Sequence, residues 1–237
     1  MAARPNANAD TNDFEFAALD EARNYRAALV AAFRPYLTGR VLEAGAGIGQ
    51  MTREFLTVGT ISELVTLEPE PRYTERLRRF RPAELVVEGT SLDLPADAAW
   101  DAIISINVLE HIEDDAGELA RYGRFLRPRR GHLCLLVPAR PELYAPIDRD
   151  FGHYRRYTRR ELRAKLHAAG FTSVDIHYYN WVGYFAWLLS FRLLRRRGFD
   201  ARAVRFFDRW IFPPVHWGET HLVRPCFGQN LIVVARA

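Results

Sequence analysis

The sequence predicts a doubly wound α/β sheet, and three observations carry that reading. Short apolar runs alternate with helix-patterned stretches from Arg40 onward, the order that builds a parallel sheet with helices on both faces. The run from His132 to Val137 is almost continuously apolar, as a strand buried on both faces requires. The first strand also leads directly into a glycine loop, Gly45-Ala46-Gly47-Ile48-Gly49, with a glycine at every second position. Glycine there lets backbone approach a ligand closely and tolerates positive φ.

Composition narrows the class. A chain of 237 residues with 49% hydrophobic content can bury a core of its own, and residues 1–237 read as a single domain. The two cysteines, Cys134 in an apolar run and Cys226 in a loop, form neither a disulfide framework nor a metal-site pair. The amino terminus lacks the apolar core of a signal peptide, so the expectation is a cytoplasmic chain. The uncharged apolar run Trp181 to Phe191 is shorter than the roughly 20 residues that span a bilayer. The net charge of +4 is carried almost wholly by arginine, Lys165 being the only lysine, and the arginines are interspersed with acids. That is a compositional bias more than a nucleic-acid surface, and no nucleic-acid partner is expected.

In chain order, residues 1–12 are polar and expected to be disordered. Residues 14–38 form a helix on the helical spacing of Phe16, Leu19, Ala22, Tyr25, Leu29, Ala32 and Phe33, stopped by Thr38-Gly39. Residues 40–138 hold five strands, at Arg40 to Ala44, Leu64 to Glu68, Glu84 to Glu88, Trp100 to Ile106 and His132 to Val137. Helices follow at Met51 to Leu56, Arg72 to Phe80 and Asp114 to Leu126. Residues 139–158 form a polar loop, and a helix from Thr158 to Ala169 opens on a Thr158/Glu161 capping box. Strands at Phe171 to Tyr178 and Asn230 to Ala235 flank an insertion, residues 180–228, of about fifty residues, far longer than a hairpin needs. It holds four of the five tryptophans and two expected helices, Val182 to Arg196 and Ala201 to Phe212.

The ligand of the glycine loop follows from its neighbours. A nicotinamide dinucleotide would require a third glycine three residues after the second, where this chain has Gln50. Glu43, at the strand end just before the loop, would repel a pyrophosphate and suits a cationic ligand such as a sulfonium amino acid. Glu68 ends the second strand nineteen residues beyond Gly49, where a carboxylate accepts from both ribose hydroxyls.

VLEAGAGIGQMT, LEPE, EGTSLDLP, WDAIISINVLEHIED and RFLRPRRGHLCLLVP resemble, in order, the successive motifs of class I S-adenosylmethionine-dependent methyltransferases. The resemblance covers about residues 40–137. It implies S-adenosylmethionine (SAM) as cofactor, S-adenosylhomocysteine (SAH) as product, and no metal. It also implies a Rossmann-like seven-stranded sheet with an antiparallel last strand, so that the aromatic insertion lies between strands six and seven. By the same resemblance Glu43, Gly45, Ala46, Gly47 and Gly49 face the methionine moiety, and Glu68 with Pro69 beside it holds the ribose. Thr90, Ser91 and Leu92 flank the adenine, Asn107 closes the floor, and Tyr25 either covers the cofactor or is a core residue. Thr90 stands where many of the family carry aspartate, which makes Ser91 and backbone groups the expected adenine partners.

The acceptor is legible only in part. Methyl transfer from a sulfonium needs an acceptor held in line, and a base only where the acceptor must lose a proton early. Glu110-His111 lies just past the fourth strand; His111 is a candidate base or a residue that shapes the pocket. The segment after the fifth strand, PELYAPIDRDFGHYRRYTRREL, is dense in polar and aromatic groups, and resembles the GHxRRYT segment of a bacterial subgroup often found alongside glycosyltransferases. His153 is the first choice of base, with Asp148 orienting it. Arg155 and Arg156 would hold an acidic or phosphate-bearing acceptor, or else form an ion-pair network with Asp148. Tyr144, Tyr157 and Trp181 complete the candidate acceptor contacts.

The insertion, with Arg195-Arg196-Arg197 after a Trp/Phe/Leu run, reads as a cap over an apolar acceptor, as a peripheral membrane contact through residues 181–197, or as a packed helical hairpin. The expected activity is methylation of a hydroxyl or carboxyl oxygen on a small-molecule or lipid-linked acceptor. The alternatives are a natural-product N- or C-methyltransferase, a protein or RNA methyltransferase, and a non-enzymatic cofactor-binding scaffold. SINVLEH lacks the Asn/Asp-Pro-Pro-aromatic tetrapeptide of amino-base methylation, and the intact Glu43, loop and Glu68 argue against a scaffold.

Overall fold

The structure, a computed structural model, describes residues 16, 20–196, 198 and 200–237. The expectations for residues 1–12, Leu19 and Arg197 fall outside the described residues. The described residues form seven strands: β1 Gly39–Ala44, β2 Ile61–Glu68, β3 Val86–Glu88, β4 Ala102–Ile106, β5 His132–Pro138, β6 Ser173–Tyr179 and β7 Asn230–Arg236. They form one sheet in the order β3-β2-β1-β4-β5-β7-β6. β1 to β5 pair in parallel, while β7 runs antiparallel to both β5 and β6.

Both faces of the sheet are covered, which is why its strands read as apolar runs. Leu42, Ile103, Leu133 and Leu135 point to one face, against Leu119, Tyr122 and Phe125 of the helix Asp115–Leu126 and Leu162 and Leu166 of the helix Arg159–Ala168. Val41, Ile104, Cys134 and Leu136 point to the other, against Leu29, Val30 and Phe33 of the helix Arg23–Phe33 and Met51 and Phe55 of the helix Gln50–Phe55. Asp114 and Thr158 each accept a backbone N–H at the start of the helix they precede, the capping their residue types predict.

Three elements differ from expectation. The helix expected over residues 14–38 is interrupted at Ala22 (φ −93°, ψ 59°), restarts at Arg23 and tightens into a 3₁₀ turn at Arg34–Tyr36, where Pro35 removes an N–H. The third strand begins at Val86 and not at Glu84, because Ala83–Leu85 is a 3₁₀ turn following Pro82. The second insertion helix does not stop at Phe212. It runs from Ala201 through a wide π turn at Phe207–Ile211 and on to His221. Pro213 and Pro214 follow that π turn just after Phe212.

The insertion is bound to the body at both ends. Its first helix, Trp181–Trp187, continues as a π turn over Leu188–Leu193 and buries Trp187 and Phe191 against Leu143, Ile147 and Phe151 of the loop after β5. Its second helix sends the buried Asp208, within its π turn, to the start of the helix Arg23–Phe33, where the carboxylate accepts from Asn24 N and Tyr25 N at 2.9 Å each. Glu219 likewise accepts from Asn180 N and Trp181 N, at 3.1 and 2.6 Å. Each carboxylate serves as a helix cap supplied from a distant part of the chain. Asp208→Ala is expected to lower stability by about 1–2 kcal/mol and Tm by roughly 2–8 °C. A thermal melt of this variant that overlays wild type would show that the cap carries no weight.

Candidate active site

The loops that follow β1 to β5 meet at the carboxyl edge of the sheet. With β1 between β2 and β4 in the sheet, the chain leaves β1 and β4 in opposite directions and opens a crevice between them, the general ligand position of such sheets. The glycine loop occupies it. Gly45, Gly47 and Gly49 have φ of 77°, 55° and 85°, the left-handed region that L side chains avoid. A Cβ on Gly45 would lie 2.4 Å from a Val108 methyl, and one on Gly47 would lie 2.8 Å from the Phe16 ring. The bare backbone is thus enclosed between the segment after β4 and the amino-terminal segment.

Two buried carboxyl groups flank this backbone. Glu43 accepts from Thr52 Oγ1 at 2.7 Å, and burial pushes its pKa up to about 8. Glu68 accepts from Gly47 N at 2.7 Å and Glu70 N at 3.0 Å, and burial raises it to about 7. Two carboxyls desolvated beside a cradle of bare backbone fit a ligand that brings hydroxyl donors and a positive charge, as an adenosyl sulfonium amino acid does. Pro69 and Ala46 complete the loop edges. Thr90 is tied by its N–H and hydroxyl to Asp93 at 2.7 and 2.9 Å, while Leu92 is exposed. Ser91, expected at the adenine, turns inward: its hydroxyl donates to Glu118 Oε2 at 2.6 Å and accepts from Arg121 Nε at 2.8 Å. Its side chain is committed to the helix Asp115–Leu126.

Tyr25 does not lie over the glycine loop. It packs on Tyr179 and Phe212, with its hydroxyl 3.4 Å from Asn230 Oδ1, and lines a cavity on the other side of Asn107. The covering place is taken by Phe16, whose carbonyl accepts from Gln50 Nε2 at 2.6 Å and whose ring meets Tyr73 edge-on at 5.2 Å. Helical spacing alone could not separate those two aromatics.

The cavity, about 470 Å³, lies between the sheet edge and the insertion. Asn107, Glu110, His153 and Arg156 form its polar floor; Trp187, Phe191, Val204 and Phe207 are among its apolar walls. Asn107 is held at φ 52° with its N–H on Leu136 O, and among the described residues its buried Oδ1 has no hydrogen-bond partner. Asp148, wholly buried, organises the floor: it accepts from His153 Nδ1 at 3.0 Å, Arg156 Nε at 2.8 Å and Ala145 N at 2.9 Å. Burial alone would raise the Asp148 carboxyl; His153 and the Arg156 guanidinium overcome it and hold it below the usual range. Since that ionised carboxylate can only accept, the proton sits on His153 Nδ1 and Nε2 is left toward Glu110, 4.0 Å away.

His111 meets the His153 ring edge-on at 4.6 Å and hydrogen-bonds the Phe151 carbonyl; burial and His153 push its pKa down to about 3. It is held neutral beside His153. Glu110, His111 and His153 also bring one ligand atom each within 4.8 Å of one another. That spread exceeds the about 3.3 Å between neighbouring ligands of a first-row metal, so the side chains would have to close up around an ion.

Four expected acceptor contacts are elsewhere. Arg155 is spent on Asp115 and the Glu113 carbonyl, at 2.9 and 2.8 Å. Tyr157, fully buried, donates toward Asp115 and the Leu109 carbonyl. Tyr144 donates to the His153 carbonyl at 2.8 Å, holding the loop. Trp181 lies against Phe185 on the outer face of the insertion, and the tryptophan that reaches the cavity is Trp187. Both readings of the loop have a counterpart: Arg155 pairs with Asp115 and Arg156 with Asp148, while His153 and Arg156 also line the cavity.

A family model described as a methyltransferase domain matches residues 16–176. The chain belongs to the class I SAM-dependent methyltransferases. Among curated methyltransferases, an uncharacterized one of Mycobacterium tuberculosis is 27% identical over 151 residues, 63% of this chain and 60% of its own length. This chain therefore spans less than two thirds of that relative. A ubiquinone biosynthesis O-methyltransferase of Methylocella silvestris is 32% identical over 104 residues, 40% of this chain and 38% of that protein. Among solved structures, a SAM-dependent methyltransferase of Thermotoga maritima shares the fold, with a TM-score of 0.62 at 17% identity over 95% of this chain and 94% of that one.

In such a methyltransferase the two raised carboxyl groups make binding pH-dependent. Folded-state pKa values of about 8 for Glu43 and about 7 for Glu68 exceed the ordinary 4.5, so their stabilising effect is full below 4.5 and is lost as pH rises through 7 to 8. The α-ammonium and ribose hydroxyls, which SAH shares with SAM, reverse the sign when they bind beside these carboxyl groups, so SAH affinity rises across that window. Calorimetry is expected to give a roughly micromolar Kd at neutral pH, tightening about tenfold or more from pH 6 to 8, with the rise flattened in Glu43→Gln. Gly47→Asp and Glu68→Ala are expected to abolish the heat. A wild-type affinity that does not vary with pH would contradict the assignment of these two residues.

Proposed function

We propose that the chain moves a methyl group from SAM to a hydroxyl or carboxyl oxygen of a small amphipathic acceptor that is lipid-linked in its natural form. One observation supports the reading most: the crevice of the glycine loop and the cavity of about 470 Å³ adjoin at Asn107 and Val108, the first lining the cavity and the second packing on Gly45. The cavity's size suits a small organic acceptor, and its apolar walls over a polar floor suit one with an oily part and a reacting polar end.

SAM, when bound, supplies an electrophilic methyl group on a sulfonium. The chain's own part begins with His153, whose Nε2 takes the proton of a hydroxyl acceptor as the oxygen attacks; a carboxylate acceptor arrives ionised and needs no base. The resulting imidazolium lies between the Asp148 and Glu110 carboxyl groups, both buried, so its charge is matched without water. Asp148 holds the ring in one tautomer, and Arg156 fixes Asp148 while placing a cation where an acidic or phosphate-bearing acceptor would present its charge. The walls supplied by the insertion keep the acceptor in line and exclude water.

Incubation with methyl-labelled SAM and a bacterial lipid extract is expected to put label in the organic phase. Mild alkali then separates a methyl ester, which is cleaved, from a methyl ether, which is not. His153→Asn is expected to lower kcat by about 10²–10⁴ with SAH affinity unchanged. Label in RNA or protein instead, or an undiminished kcat, would overturn the reading.

A further inference from the structure

We infer that the outer face of the insertion is a docking surface for an anionic lipid bilayer, lying in the plane of the membrane interface. Among the described residues, ten of the twelve large apolar side chains left exposed belong to residues 181–223. They are ordered. Phe185, Leu189 and Leu193 recur every four residues along the first insertion helix, and Phe206 and Trp210 do the same on the second. The inner face of the first helix is already occupied, with Trp187 and Phe191 buried against the loop after β5. Trp181–Leu193 is therefore apolar all round, with Arg192 its one charged residue, and a helix of that kind is normally covered on every side. Here the body covers the inner side and Phe227 meets Tyr184 and Phe185 near the helix's start, while Phe185, Leu189 and Leu193 stay exposed.

Charge decides what covers the other. Arg192, Arg195, Arg196, Arg202 and Arg209 are exposed around these apolar rows, against the exposed Asp200; the other acids of the stretch, Asp208 and Glu219, are buried as helix caps. A second copy of the chain would bring two such arginine clusters together, whereas anionic headgroups accept them while the aromatic and leucine side chains enter the acyl boundary. No helix among the described residues is long and apolar enough to cross a membrane, so the face lies on the bilayer and does not span it. Phe206 and Arg196 line the cavity and are also exposed, so the cavity wall continues onto this face and a lipid-linked acceptor has a short path from bilayer to floor. That last step rests on the proposed acceptor class; the docking itself does not.

The test is co-sedimentation with large unilamellar vesicles of phosphatidylcholine alone or mixed equally with phosphatidylglycerol. Wild type is expected to bind the anionic vesicles at least about tenfold more tightly than the neutral ones, with the difference erased by high salt. Leu189→Ser/Leu193→Ser and Arg192→Glu/Arg195→Glu should each weaken binding about tenfold or more, with Tm and SAH affinity unchanged as proof of folding. Absence of binding to anionic vesicles at low salt would overturn the inference. So would a soluble dimer in analytical ultracentrifugation that Leu189→Ser/Leu193→Ser disperses, because the face would then belong to a second copy. Failure of vesicle binding beside intact methyl transfer removes the membrane surface alone, and vesicle binding beside absent SAH binding removes the enzymatic reading alone.

Discussion

Between β1 and β4 the chain brings the backbone of Gly45 against the side chain of Val108, so closely that a single added carbon would overlap it. That contact is the point on which the site depends. It exists because the two strands lie side by side at the switch point of the sheet and their following loops diverge. It also sets Asn107, the neighbour of Val108, at the boundary between the cofactor crevice and the cavity. The crevice and the cavity are therefore joined through the end of β4, the arrangement that the proposed in-line transfer needs from a protein.

The cavity itself is assembled from segments far apart in sequence. Its floor comes from the loops after β4 and β5, its walls from the insertion and from the start of the helix Arg23–Phe33. Buried carboxylates hold these pieces in register. Asp148 ties His153 and Arg156 into one unit, Asp208 caps the first helix from the insertion, and Glu219 caps the insertion's own start. Each side chain satisfies backbone or charged donors that would otherwise be buried without a partner. The wide π turns at Leu188–Leu193 and Phe207–Ile211 occur in the two helices that wall the cavity, the setting in which such turns tend to be found.

Much of this was legible in the sequence, and the limits have physical causes. The strands could be read because both faces of the sheet are covered, leaving uninterrupted apolar runs. The glycine loop, with Glu43 and Glu68 at the strand ends beside it, could be placed because that arrangement depends on local order along two neighbouring strand–loop–helix units. The loop after β5 stood out as a whole in the sequence but not residue by residue. His153 and Arg156 face the cavity while Arg155 and Tyr157, their near neighbours, turn to Asp115, a choice made by a helix some forty residues away. Ser91 was likewise diverted to Glu118 and Arg121. Trp181 and Trp187 are six residues apart on one helix, and which of them faced the cavity depended on packing against Leu143. Asp208 and Glu219 carried no local signal, since what they cap lies far away in the chain.

The account's central claim is that the cofactor crevice and the cavity are two ends of one site meeting at Asn107. A crystal structure with SAH bound tests it most directly. The ribose hydroxyls should lie on Glu68, and the sulfur should point into the cavity with room for one acceptor atom about 3–3.5 Å beyond the transferred methyl position, on the His153 side. A sulfur that faces away from Asn107, or that is walled off from His153 by the chain, would contradict it.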